Sequence, residues 1–134
     1  MGEPISFQVM RRATFVGFIP VRDLATARTF YQDVLGLTVA EESPIALVVD
    51  GGGTTLRLTV VPDLQPQPFT VAGWAVADIA AEVEALVSSG VKFNRYDGMD
   101  QDQRGIWTTP AGESVAWFSD PFNNTLSLTG FSSS

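Results

Sequence analysis

The 134-residue chain contains neither cysteine nor histidine. Disulfides, thiolate chemistry and imidazole ligands are thereby excluded, as is the one side chain that titrates near neutrality unperturbed. Lysine is nearly absent too: Lys92 is the only one, and its expected place at an exposed strand start makes it a poor Schiff-base amine. Eight Lys and Arg stand against fifteen Asp and Glu, a net charge of −7. Such a surface repels phosphate backbones and anionic membranes, so neither is an expected partner. No run is long and apolar enough to span a bilayer or to form a signal-peptide core, and cytoplasmic residence is the expectation. Met1, Gly2 and Ser6 fit the bare myristoylation pattern, to which Glu3 and Pro4 lend nothing.

Hydrophobic residues make up 45% of the chain and charged residues 17%, enough burial to offset chain entropy in one compact domain spanning residues 1–134. Thr14 to Val21 reads as a strand rich in aromatic and β-branched residues. Asp23 follows as a helix N-cap. Leu24, Ala27, Phe30, Tyr31, Val34 and Leu35 then recur at helical spacing, and Gly36 is placed as the left-handed stop. Strands are expected at 37–41, 45–49 and 55–61, giving a β-α-β-β-β module over about 13–62. A Pro-rich linker at 62–68 leads to a second module over about 69–131. There the order repeats: a strand at 69–76, Asp78 as N-cap, a helix at 79–89 stopped by Gly90, a strand at 91–96, a polar loop, a short run at 105–108, and strands at 114–119 and up to Thr129.

The halves agree residue by residue as well. Val21-Arg22-Asp23-Leu24 matches Val76-Ala77-Asp78-Ile79 at an offset of 55, and Asp50 to Thr59 matches Asp120 to Thr129 at an offset of 70. A duplication detected in residues is stronger than one detected in elements. The growing offset places an insertion of about fifteen residues between Gly90 and Asp120, assigned mainly to 97–112, where lids and binding loops commonly arise.

Val21 to Leu24 with Ala27, Phe30-Tyr31 and Leu35-Gly36-Leu37, then Val76 to Ile79 with Ser89-Gly90-Val91, then Asp120 to Leu126, together resemble the glyoxalase, bleomycin-resistance and extradiol-dioxygenase superfamily, the vicinal oxygen chelate proteins. One departure is Phe122-Asn123, where the family's turn usually has Asp and then Gly. The resemblance implies an α+β fold of two βαβββ modules whose curved mixed sheets surround a shared cleft, helices outside. It also implies four metal-ligand positions, which in this chain fall on Val16, Arg57, Val71 and Ser127. Valine has no donor atom, Arg57 repels a cation, and one serine hydroxyl is a poor ligand, so neither metal nor other cofactor is expected. The acidic loop Asp97, Asp100 and Asp102 lacks the ligand order of a calcium loop and reads as solvated charge.

Those positions fix which strand face looks into the cleft, because residues two apart share a face. Val16, Phe18, Thr55, Arg57, Thr59, Val71, Gly73, Thr125, Ser127 and Thr129 fall on it. Phe15, Ile19, Leu56, Leu58, Trp74, Leu126 and Leu128 fall on the helix side. Arg57 reads either as a donor fork for a ligand anion or as half of an ion pair. Ser127 has no His or Lys to activate it and reads as a strand residue, so no catalytic residue is assigned. Tyr96, Trp107 and Trp117 offer flat faces to an aromatic or cationic ligand, although each alone is better explained as core, Trp117 above all. The expected ligand-binding set is thus Val16, Phe18, Arg57, Thr59, Val71, Tyr96, Trp107, Trp117 and Ser127. The expected function is metal-free binding of a small organic molecule in the inter-sheet cleft of a homodimeric protein, with drug sequestration, as the resemblance implies, one form of it. Two alternatives stand beside it: a divergent enzyme using Arg57 with a carboxylate or Tyr96, and a non-catalytic interaction module with a filled cleft. The cleft itself forms either within one chain or between chains.

Overall fold

The computed structural model describes residues 10–131, so the Met1, Gly2 and Ser6 pattern lies outside it. Asp23 caps the first helix by accepting from Thr26 N at 2.7 Å, and Asp78 caps the second by accepting from Ala81 N at 3.1 Å. Between the caps and the left-handed stops Gly36 and Gly90 (φ +78° and +98°) run α1 (Leu24–Arg28) and α2 (Ile79–Ser88). The expected single α-helix after Asp23 is only partly formed. Beyond Arg28 the chain widens into a π-helical stretch, Thr29–Val34, in which Leu35 N donates to Phe30 O five residues back. Phe30 and Tyr31, adjacent in sequence, are both buried there, with rings edge-to-face at 5.1 Å.

The strands form two four-stranded sheets of identical order. β1 (Val16–Val21), β4 (Thr55–Val60), β3 (Ala46–Asp50) and β2 (Thr38–Glu42) make the first; β5 (Thr70–Val76), β8 (Thr125–Gly130), β7 (Ser114–Ser119) and β6 (Trp107–Thr108) make the second. In each, the outer pair β1–β4 or β5–β8 is parallel and the rest antiparallel. The fold is therefore α+β, two βαβββ modules. Ile19, Leu56 and Leu58 of one sheet and Leu126 and Leu128 of the other are buried in one common core with Tyr31 and Val83, as the alternation requires. Phe15 does not join them: it precedes β1, beyond the reach of α1, and is 72% exposed.

The strand expected at 91–96 is not a strand. Phe93 alone pairs, opposite Phe118, and Asn94 N donates to Trp117 O. An unbroken antiparallel edge would then bring residue 96 opposite Val115, but Trp107 stands there, eleven residues later. The insertion thus splits the edge strand, and most of the 97–112 region is a hydrogen-bonded loop followed by β6.

The modules are joined by polar contacts as well as by the core. The Tyr31 hydroxyl donates to Asp120 Oδ2 at 2.6 Å, Asn124 Nδ2 to Pro20 O at 2.7 Å, and Arg22 Nη2 to Leu64 O at 3.0 Å, which tucks the linker in. Tyr31 is fully buried, and burial first, then the charge and hydrogen bond of Asp120, hold its phenol far above the ordinary tyrosine range. A phenol in the unfolded chain ionises near pH 10. The unfolded state therefore releases this proton first, and the stability that neutral Tyr31 contributes is complete below about pH 10 and declines above it, by up to about 1.4 kcal/mol per pH unit. Urea midpoints followed from about pH 9 to 11 should fall steeply in the native chain and more gently in Tyr31→Phe. Equal slopes would show that Tyr31 is not the linked group.

Candidate functional site

Across the first sheet the register sets Phe18 beside Arg57, Arg57 beside Val48, and Val48 beside Glu41, so these four side chains form one row on the face away from the helix. Arg57 is half-buried and has no hydrogen-bond or ion-pair partner among the described residues. Glu41 stands in the same row two strands away and makes no ion pair with it. Among the described residues, Arg57 therefore forms no ion pair. Val16 lies beside Thr55 in the next row up, and Thr59 lies beside Pro20 and Ala46 in the next row down. The Thr59 hydroxyl is buried without a partner among the described residues.

On the second sheet the corresponding row is Gly73, Ser127 and Trp117, and the next is Ala75, Thr129, Val115 and Trp107. Trp117 thus stands on the open face, half-buried, and not in the core; the core positions of β7 are taken by Ala116 and Phe118 on the other side of the strand. Its ring meets Tyr96 edge-on at 5.6 Å and lies 6.3 Å from Trp107, and its indole N–H donates to Thr70 Oγ1 at 3.2 Å. The three candidate aromatics are therefore brought together. Ser127 is different: it is buried against Gly73, where a Cβ would come within 2.3 Å of the Ser127 hydroxyl oxygen. A side chain at position 73 would force the Ser127 hydroxyl to move.

The inserted loop holds this aromatic group in place. Gln101 Oε1 accepts from Tyr96 N at 2.7 Å, while its Nε2 donates to Asn94 O and Gly105 O at 3.0 and 2.9 Å. Asp102 Oδ1 accepts from Arg104 N and Ile106 N, so this carboxylate shapes a turn and is not simply solvated charge. Gln101 escaped the reading of the sequence because nothing in its neighbours' spacing distinguishes a loop staple from a polar loop residue.

A cavity of about 590 Å³ lies between β1 and β5, lined among others by Phe18, Leu56, Gly51, Val71, Gly73 and Trp74, with the Trp74 indole donating to Gly51 O. It unites Phe18 and Val71 of the candidate set. Val16, Arg57, Thr59, Tyr96, Trp107, Trp117 and Ser127 do not line it.

The four family metal positions do not fit a metal. Val16 and Val71 carry no donor, Arg57 brings a positive charge with no carboxylate opposite, and Ser127 presents one neutral hydroxyl packed against Gly73. Nor is any group of three or more His, Cys, Asp or Glu residues placed to hold a metal ion among the described residues. No helix of these residues is long and apolar enough to cross a membrane.

A family model described as Glyoxalase/Bleomycin resistance protein/Dioxygenase superfamily matches residues 11–128. Among solved structures, a member of that superfamily from Sphaerobacter thermophilus DSM 20745 superposes with a TM-score of 0.70 at 22% identity, covering 89% of this chain and 97% of the other. A glyoxalase/bleomycin resistance protein/dioxygenase from Alicyclobacillus acidocaldarius gives 0.66 at 20% identity over 90% and 92%. A putative glyoxalase family protein from Bacillus anthracis gives 0.70 at 14% identity over 90% and 95%. No curated protein matches the chain.

Proposed function

Because the chain belongs to the Glyoxalase/Bleomycin resistance protein/Dioxygenase superfamily, we propose that it binds a small organic anion between open sheet faces without a metal, and sequesters it rather than transforming it. The observation that carries this reading is Arg57, a half-buried guanidinium on an open face with no partner among the described residues. A buried or half-buried cation is retained at a cost unless something pairs with it, and a fork geometry suits a carboxylate. The Tyr96, Trp107 and Trp117 group supplies flat apolar surface for the ligand's body. An Arg57 anchor and that group belong to different sheets, and the crevice within one chain contains neither. Both observations support a ligand site between two chains of a homodimer, the first sheet of one opposing the second sheet of the other.

The divergent-enzyme reading has less support. It needs a carboxylate free to move protons beside Arg57. Asp120, the buried carboxylate among the described residues, has both oxygens engaged by donors, and Tyr96 is exposed in the loop beside the other sheet.

Binding of small aromatic carboxylates such as 1-naphthoate, followed by calorimetry, tests the proposal. Arg57→Ala and Trp117→Ala should each weaken binding about tenfold or more, equivalent to about 1.4 kcal/mol. Mixing the two variants in equal amounts under exchange should restore one native site per heterodimer, and since half of the dimers are then mixed, about a quarter of the native binding capacity. No restoration would sink the placement between chains, and unchanged affinity in Arg57→Ala would sink the anchor itself.

A further inference from the structure

A second groove, of about 910 Å³, lies beside α2 and is lined among others by Val83, Val87, Val91, Lys92, Arg95 and Arg104. On a chain of net charge −7, three of the eight basic residues, including the only lysine, converge there, against Glu84 as the one acidic residue of the lining. Arg104 is neutralised locally: its Nε and Nη2 donate to Glu84 Oε1 at 3.1 and 2.6 Å. Arg95 donates to the Gln101 carbonyl, a neutral acceptor, which orients its guanidinium without balancing its charge. Lys92 is exposed and has no partner among the described residues. Two uncompensated cations are left, one of them held by the inserted loop.

The groove also has an apolar wall. Val83 and Val91 are buried, whereas Val87, one helical turn after Val83 on α2, is 53% exposed. Exposed valine next to uncompensated cations is the complement of a molecule with an apolar body and an anionic end. Size follows from the charge distribution. A polyanion or an anionic membrane meets the whole acidic surface, but a small monoanion inside the groove is within about 8 Å of the cations, the screening length at physiological salt, and is shielded from most of the rest.

We infer that this groove is a binding site for small amphipathic carboxylates, separate from the open-face site. A competing role for the same cations is to complement the negative C-terminal end of α2, and the experiment separates the two. Octanoate is titrated into the ¹⁵N-labelled full chain, with octanol as the uncharged control. Amide shifts are expected over Val83, Val87 to Arg95 and Arg104. Octanol should bind about tenfold more weakly or worse, and raising salt from about 50 to about 500 mM should weaken octanoate binding. Lys92→Glu/Arg95→Glu should lower octanoate affinity at this groove, read from these amide shifts, about tenfold or more with thermal unfolding little changed. The inference is overturned if the groove amides do not shift, if octanol shifts them equally, or if the double variant lowers the melting temperature while its groove amides respond to octanoate as in the native chain.

Discussion

Asp120→Ala should lower folding stability by about 3 to 5 kcal/mol, the largest single effect expected in this chain. The carboxylate is buried at 4% exposure, and its oxygens accept from the Tyr31 hydroxyl, from Phe122 N and Asn124 N, and from Asn124 Nδ2, at 2.6 to 2.9 Å. Truncation leaves four donors without an acceptor. A stranded buried donor costs about 1 to 3 kcal/mol, although the four are coupled and do not add. Against a total of about 5 to 15 kcal/mol, the variant is left marginal. The loss also spreads beyond one turn, because Asn124, oriented by Asp120, donates to Pro20 in the other module, and Tyr31 belongs to the π-helical stretch of that module. Urea unfolding of Asp120→Ala should therefore show an early midpoint, and near-UV signals of both sheets should be lost together. A loss below about 1 kcal/mol would mean that water replaces the carboxylate freely and that the junction is not dry.

The same aspartate shows how far residues alone carry the fold. Matching Asp120 with Asp50 is physically sound: each carboxylate accepts from two backbone amides of the turn that follows, Gly52 and Gly53 in one case, Phe122 and Asn124 in the other. The ladder adds what the match conceals. Asp50 pairs with Thr55, whereas Ser119 pairs with Thr125, so the second turn is one residue longer and draws Asp120 inside it. The unusual Phe122-Asn123 is explained there too, since Asn123 takes the left-handed conformation (φ +68°) that asparagine tolerates and Phe122 is buried in the core. Alternation on β4 and β8 was legible because leucines alternate with polar residues. On β7 it was not. Val115-Ala116-Trp117-Phe118 is apolar throughout, so its period is hidden, and only pairing with Ser127 assigns Trp117 to the open face. That Arg57 has no ion-pair partner among the described residues was likewise invisible, because which carboxylates reach a guanidinium depends on tertiary packing.

Gln101→Ala should cost about 2 to 4 kcal/mol, concentrated in the inserted loop and not in the sheets. One carboxamide satisfies Tyr96 N, Asn94 O and Gly105 O; Gly105 is buried and Asn94 half-buried, so truncation strands at least the Gly105 carbonyl where water reaches poorly. Ile106 anchors the far end of the loop in the core, and Asp102 closes the last turn, so the loop should loosen between these points and not detach. Amide exchange over 95–105 should accelerate while β4 and β8 keep native protection. The near-UV bands of the Tyr96, Trp107 and Trp117 group should diminish, because Tyr96 and Trp107 flank the loop and lose their shared orientation toward Trp117. Gln101→Glu sharpens the point. Its carboxylate still accepts from Tyr96 N but turns an acceptor toward two carbonyl oxygens, so at neutral pH it should be no better than alanine. Below the ordinary glutamate range, near pH 4, protonation returns one donor and should restore part of the loss. Unchanged exchange and aromatic bands in both variants would show that the loop is held by Asp102 and Ile106 alone, and that the aromatic face owes its geometry to the strand β7 rather than to the insertion.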